Sequence, residues 1–224
     1  MKILAADTST KIVSIAVLNN ADTKINIHKS FQRSQGSALI PMIKKLLDRV
    51  HWKIKDIELF CAGVGPGSFT GLRASLASMR MLAIALKRPI VGIPSFDAIA
   101  YGLGHRSDIC VMFDARQGKV YSRFYRQDTN GPVATTGFLL DYINNILDKI
   151  EKQTIIAGDA VTIYKSEMLK YKKDFISLAP EKLWYPNAEV LGRIALDKFK
   201  KGYKDDPYKL LPLYIYPKEC QIKK

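Results

Sequence analysis

Histidine, cysteine and acidic residues are scarce in this 224-residue chain. It has 3 His, 3 Cys and 21 Asp and Glu against 35 Lys and Arg. Cys61, Cys110 and Cys220 are odd in number and far apart, and two stand in apolar strand-like runs (ELFCAGV, DICVMFD). That excludes a disulfide framework and makes them small buried hydrophobes of a reducing compartment. His28, His51 and His105 show no ligand spacing, which excludes a histidine metal motif. The apolar opening MKILAA is cut short by Asp7, so no secretory leader is expected, and no apolar run reaches membrane-spanning length. The expected setting is the cytoplasm, without a membrane partner. The acid deficit leaves a formal net charge of +14. Such a balance fits a polyanion partner such as RNA, or simply solvated lysine faces like Lys44-Lys45, Lys172-Lys173 and Lys200-Lys201. A hydrophobic share of 47% is ordinary for a chain with a real core and sets disorder aside.

What is present is a repeat. Ile3 to Ala6 leads to Asp7, a polar turn (TSTK) and the strand-like IVSIAVL; Ile109 to Phe113 leads to Asp114, a polar turn (ARQGK) and VYSRFY. Val13 and Val120 follow their aspartates at the same separation, so the two openings can be superposed. Each is followed by alternating helix and strand patterns. This predicts an α/β protein of duplicated lobes, the two-lobed actin, sugar kinase and Hsp70-like class. The expected division is 1–105 for the first lobe and 106–224 for a smaller second one.

In the first lobe, KINIHKS reads as a strand. A helix is predicted from Gln35 to Val50, with Leu39, Ile43, Leu46 and Leu47 on one face and Lys44, Lys45, Asp48 and Arg49 on the other. The run Ile57 to Val64 is a buried strand that enters GVGPGSFTGLR, Gly63 to Arg73, where four of eleven residues are glycine. In the second lobe, helices are predicted at Phe138–Glu151, Asp159–Lys172 and Asn187–Lys201, with the strand TIIAG between the first two.

The glycine loop fails as a Walker A motif, because Gly65 to Gly71 is one residue too long and Leu72 follows instead of Lys. It fails as a dinucleotide fingerprint because Ser68 stands where the third glycine belongs. It is not a nucleophile elbow either. What remains is a strand, glycines that permit unusual backbone angles, and Ser68 or Thr70 placed to cap the next helix. Amides at that helix start could hold an anion, with Arg73 reinforcing it or serving as an ion-pair partner. From Ala74 to Leu86 the helix carries one charge, Arg80. Leu72, Leu76, Met79, Leu82 and Leu86 line one face and Ala74, Ser78, Met81 and Ala85 the other. A helix on one face of a sheet normally keeps a charged outer stripe; its absence points to a covering partner chain, or to burial within the lobe. The expected partner interface is Leu39, Ile43, Leu47, Ala74, Ala77, Ser78, Met81 and Ala85.

Together ILAADTST, GPGSFTGLR, the apolar helix, PIVGIPSFDAIA and FDARQGKVY resemble the TsaB (YeaZ) family. The likeness runs in order from Met1 to about Tyr125, with an echo at Pro212 to Tyr216. It implies an actin-like paralogue of the catalytic subunit TsaD that docks on TsaD and works with the ATPase TsaE to make threonylcarbamoyladenosine on tRNA. The implied role is scaffold and activator, a homodimer when alone, reaching tRNA through the complex. It implies no cofactor of its own, ATP and metal being used by the partner subunits. Two histidines one helical turn apart bind metal in TsaD; Ser95 and Ile99 stand at those positions, and isoleucine cannot coordinate. The chain departs from the family at Gln35, near which a His is usual, and at Tyr216, where an Arg is usual. An alternative is an actin-like small-molecule phosphotransferase. There Asp7 and Asp114 would hold magnesium and phosphates, with Thr8, Ser9, Gly65, Gly67, Ser68 and Thr70 completing an anion site. Against it stands the plain reading that an Asp after a strand caps its own turn.

Overall fold

The computed structural model of the chain describes residues 1–30, 35–104, 107–129, 131–171 and 174–215, without the side chains of residues 35–37. His105, Lys172, Lys173, Tyr216 and Cys220 therefore lie outside the described residues, as does the side chain of Gln35.

The first compact unit comprises residues 1–98 and 186–213. Its strands are β1 (Lys2–Asp7), β2 (Ile12–Asn19), β3 (Asp22–Ser30), β4 (Leu59–Gly63) and β5 (Ile90–Ile93). They form one sheet in the order β3-β2-β1-β4-β5. The meander β1–β2–β3 is antiparallel, while β4 and β5 run parallel to β1 after crossovers through α1 (Gln35–Arg49) and α2 (Phe69–Leu86). Parallel neighbours need such crossovers, and the resulting sheet is buried on both faces. One face packs Leu4, Val13, Ile15 and Phe60 against Leu39, Ile43, Leu46 and Leu47 of α1 and Leu76 and Met79 of α2. The other packs Ile3, Ala5, Leu18 and Cys61 against α6 (Ala188–Lys200). Burial raises the Cys61 thiol far above its ordinary range, so it stays protonated.

The second unit comprises residues 99–185 and 214–224. Its strands are β6 (Asp108–Asp114), β7 (Lys119–Asp128), β8 (Gly131–Ala134), β9 (Leu139–Tyr142), β10 (Thr154–Ala157) and β11 (Ile176–Leu178). The sheet order is β11-β10-β6-β7-β8, with β9 added on β7. Counted from each unit's own first strand, both sheets are third-second-first-fourth-fifth, apart from the inserted β9. The duplication predicted from the two openings is thus a duplication of topology. The openings differ in register by one residue, however: Asp7 pairs with Ser14 but Asp114 pairs with Val120.

Two expectations are corrected. The division at residue 105 fails because α6 carries a buried stripe (Ala188, Leu191, Ile194, Ala195) that completes the core under the first sheet. The chain after the second sheet thereby returns to the first unit, and the boundary falls within α3 (Ser95–Leu103). The helix expected from Phe138 begins only at Ile143, as α4 (Ile143–Asp148), because Leu139–Tyr142 pairs with β7. Helix α5 (Ala160–Tyr171) and α6 fall where helical spacing placed them.

Candidate functional site: the glycine loop and the helix it launches

The loop between β4 and α2 is wired to the turn after β1. Ser68 N donates to Ser9 O (2.7 Å), and Thr8 Oγ1 donates to Gly71 O (2.5 Å). A Cβ on Gly67, at φ +153°, would overlap Ser9 O and lie 2.9 Å from its carbonyl carbon. Glycine there is what allows the two turns to touch. Gly65, at φ +95°, likewise has Leu72 of α2 packed over its Cα. Its N–H donates to Ser95 Oγ (3.1 Å) and its carbonyl accepts from Ser95 N (2.8 Å).

Asp7 lies at the centre of this wiring and is 1% exposed. Oδ1 accepts from Ser9 N (2.7 Å) and Ser9 Oγ (2.6 Å), and Oδ2 accepts from Ser95 Oγ (2.6 Å). Burial raises its pKa, opposed by these hydrogen bonds from Ser9 and Ser95 and by the nearby His28. His28 is lowered by burial, opposed by the charge of Asp7. Asp7, Thr8, Ser9 and Gly65 are therefore buried structural groups turned on one another, with no open side toward an anion, which corrects that assignment. Ser68 is exposed, but its Oγ caps α2 by accepting from Gly71 N (3.3 Å). Thr70 is exposed inside the first turn and is not the cap.

Asp114 belongs to the second unit and Asp7 to the first. Asp114 Oδ1 accepts from Arg116 N (3.0 Å) and Tyr164 OH (3.4 Å), and Oδ2 is 3.5 Å from Arg116 Nε. It is thus held by its own turn, and the magnesium role proposed for the two aspartates is corrected at Asp7, which is sealed from solvent. Ser95 and Ile99 are both buried, so both positions serve the interior. Among the described residues no three His, Cys, Asp or Glu side chains gather as a metal site.

Helix α2 has a buried side and an outward side, and its five predicted interface residues all lie on the outward one. Leu72, Leu76 and Met79 are 2% exposed or less, and Leu82 and Leu86 pack against the same core. The opposite side presents Ala74, Ala77, Ser78, Met81 and Ala85, with Met81 64% exposed and Phe69, under the guanidinium of Arg73, 51% exposed. Leu39, Ile43 and Leu47 are no more than 4% exposed and belong to the core, because α1 turns its apolar stripe toward the sheet. Those three are removed from the interface. Ile40, 48% exposed, is the large apolar residue that α1 shows to solvent instead.

Helix α2 also reaches the length and hydropathy of a membrane span: 18 residues, mean hydropathy 1.2 and 33% of them buried. The letters suggested otherwise because Arg73 and Arg80 interrupt the run. Arg80 has a local account that the sequence did not offer. Its Nε donates to Pro207 O (2.5 Å) and a terminal nitrogen to Tyr208 O (3.0 Å). These carbonyls belong to a strap, residues 203–213, that borders β5: Asp205 N donates to Ile90 O, Gly92 N to Asp205 Oδ2, and Leu213 N to Val64 O. The strap covers an edge strand. Leu210 and Leu213 pack against the core, while Tyr208 and Leu211 are 71% and 66% exposed.

Residues 17–181 match the family described as TsaD, tRNA N6-adenosine threonylcarbamoyltransferase. The chain is 33% identical over 135 residues to the tRNA threonylcarbamoyladenosine biosynthesis protein TsaB of Escherichia coli K12, a match covering 58% of each chain. It is 29% identical over 195 residues to the protein of that name from Buchnera aphidicola (Schizaphis graminum), covering 84% of this chain and 89% of that one. The solved structure of YeaZ from Pseudomonas aeruginosa superposes with a TM-score of 0.79 at 24% identity, over 96% of this chain and 99% of the other. Component A of (R)-2-hydroxyglutaryl-CoA dehydratase from Acidaminococcus fermentans superposes at 0.53 and 11% identity, over 88% and 98%. The fold is therefore of the actin, sugar kinase and Hsp70-like class.

Proposed function

The chain belongs to the tRNA N6-adenosine threonylcarbamoyltransferase family, in its TsaB/YeaZ group, and from this premise we propose that it is a non-catalytic docking subunit for the catalytic paralogue TsaD. The observation that carries the proposal is the outward side of α2. A helix whose outward stripe is the exposed Ala77, Met81 and Ala85 with the half-buried Ala74 and Ser78 gains nothing from water and lets a second helix approach closely. A paralogue with the same strand–loop–helix plan offers a matching helix. The same surface would join two copies of this chain when TsaD is absent.

The buried Asp7 network supports the non-catalytic half of the proposal. A carboxylate sealed by Ser9 and Ser95 is not available to hold magnesium, and no cofactor of the chain's own is required. ATP and metal belong to the partners TsaD and TsaE, tRNA is met through the complex, and the setting is the bacterial cytoplasm. The test is co-elution with purified TsaD, followed by tRNA modification with TsaD, TsaE and ATP. Met81→Asp puts a charge into the interface, where an unpaired buried charge costs about 3–5 kcal/mol, or roughly 10²- to 4 × 10³-fold in affinity. Complex formation and modification should both fail while the thermal melt of the isolated chain stays within ~2 °C. Unfolding of this variant, or phosphate turnover by the isolated chain, would defeat the proposal.

A further inference from the structure

One end of the first unit gathers cations from three separate segments. Strands β1, β4 and β5 start side by side, with Ile3 beside Leu59 and Phe60 beside Ile90. Lys53 and Lys55 lie in the turn that leads into β4, tied to β1 where Glu58 N donates to Lys2 O (2.8 Å). Lys87 and Arg88 join the end of α2 to the start of β5. Helix α6 runs back against β1: Ala188 N donates to Ser14 Oγ beside Asp7, Gly192 packs on Leu18 and Ala5, and Phe199 packs in the cluster that contains Met1. Its last turn therefore brings Lys200 and Lys201 to the same end. Lys204 follows there, since Asp205 N donates to Ile90 O (2.9 Å).

These seven cations are exposed, and among the described residues none has a carboxylate within 4.0 Å. The acids at this end are mostly engaged elsewhere. Asp56 faces Lys2 Nζ (3.7 Å) and Lys53 N (2.9 Å), Glu58 faces the chain amine (3.7 Å) and Lys2 N (2.7 Å), and Asp205 faces Gly92 N and Tyr203 OH (both 2.8 Å). Asp197 is the exposed acid on the last turns of α6. Tyr203, 48% exposed, has the ammonium of Lys198 over its ring at 5.6 Å and adds an aromatic group among the lysines.

We infer that this end of the first unit, remote in the sheet from the glycine loop, is an RNA-binding surface that grips the phosphate backbone of tRNA. Unpaired cations spread over a rigid edge match singly charged phosphates along a strand, and a base can stack on the tyrosine. The inference rests on the proposed function for its choice of tRNA, and gives the subunit a direct share in substrate capture. With four to seven phosphates neutralised, log affinity should fall against log salt with a slope of about −3 to −6.

The test is anisotropy of labelled tRNA from 50 to 200 mM KCl with the full chain. Lys200→Gln, Lys201→Gln and Lys204→Gln together should weaken binding at least tenfold at 50 mM and reduce the slope by about 2–3, and Lys53→Gln with Lys55→Gln should reduce it by about 1–2. The triple Lys165→Gln, Lys170→Gln and Lys182→Gln, which removes equal charge from the second unit, should leave both quantities near the parent values. Equal losses in both triples would mean diffuse attraction to net charge and overturn the inference. So would unchanged binding in the first, or displacement of tRNA by polyglutamate of matched charge, which would mark an acidic protein as the occupant. Co-elution of the first triple with TsaD reads the docking proposal separately: intact docking with unchanged RNA binding defeats only this inference.

Discussion

A methyl group added at Gly63 tests the wiring of the Asp7 network. Gly63 ends β4, beside β1, and a Cβ there would overlap Asp7 Oδ2 and lie 2.6 Å from Cγ and 3.1 Å from Cβ of the same residue. Its φ is outside the left-handed region, so the strain comes from the contact with the Asp7 side chain rather than from the backbone. To admit the methyl group the carboxylate must rotate, losing the Ser95 bond at Oδ2 and at least one Ser9 bond at Oδ1. Hydrogen bonds to a buried charged group contribute about 1.5–3 kcal/mol each. Gly63→Ala should therefore cost about 3–6 kcal/mol, or roughly 6–24 °C in Tm for a chain of this size. The assay is urea unfolding followed at Trp52 in the first unit and Trp184 in the second. In an Asp7→Ala background the obstructing atoms are gone and only the Cβ contact remains. The same substitution should then cost under about 1 kcal/mol, a coupling of at least ~2 kcal/mol. A cost below ~1 kcal/mol in the parent, or equal costs in the two backgrounds, would refute the reasoning.

Ile43→Ala on α1, where the residue is 3% exposed, should cost about 2–5 kcal/mol in urea unfolding, and near-neutral behaviour would return α1's stripe to the interface. The pH dependence of Asp7 has a definite sign. Its folded pKa is raised from 3.8 by burial, so its contribution is fully present below the unfolded pKa and is lost as pH rises through the folded value. Wild type minus Asp7→Asn, measured in a His28→Gln background, should fall as pH rises above about 4 and then level off; a rising difference would refute it. His28 has the opposite sense. Its pKa is lowered by burial, so its contribution is present above its unfolded pKa of about 6.5 and lost as pH falls through the folded value, which is why it is removed for that comparison.

Much of the plan was legible in the letters because it depends on local periodicity. Short apolar runs marked β1 and β2, alternation marked β3, helical spacing marked α1, α5 and α6, and the repeated strand–Asp–turn marked two units. The one-sided character of α2 was also legible, since five residues at helical spacing name its buried side. The face α1 turns to the sheet was misassigned, because an apolar stripe reads the same whether it meets a sheet or a partner.

The residue sequence by itself determined most of the helices and strands, that the chain carries a duplicated design, and that the glycine loop is neither a Walker A nor a dinucleotide-binding motif. Only the tertiary structure decided what those segments meet. It placed Ser95 against Asp7, some ninety residues away along the chain, and turned two hydroxyls and a carboxylate into a closed network. It sent α6 back under the first sheet and laid the strap over β5. It also drew Lys53, Arg88 and Lys204 to one end. The physical reason is that periodicity records only a residue's alternation between apolar and polar surroundings, whereas the identity of the surroundings depends on which distant segments bury the most apolar surface together.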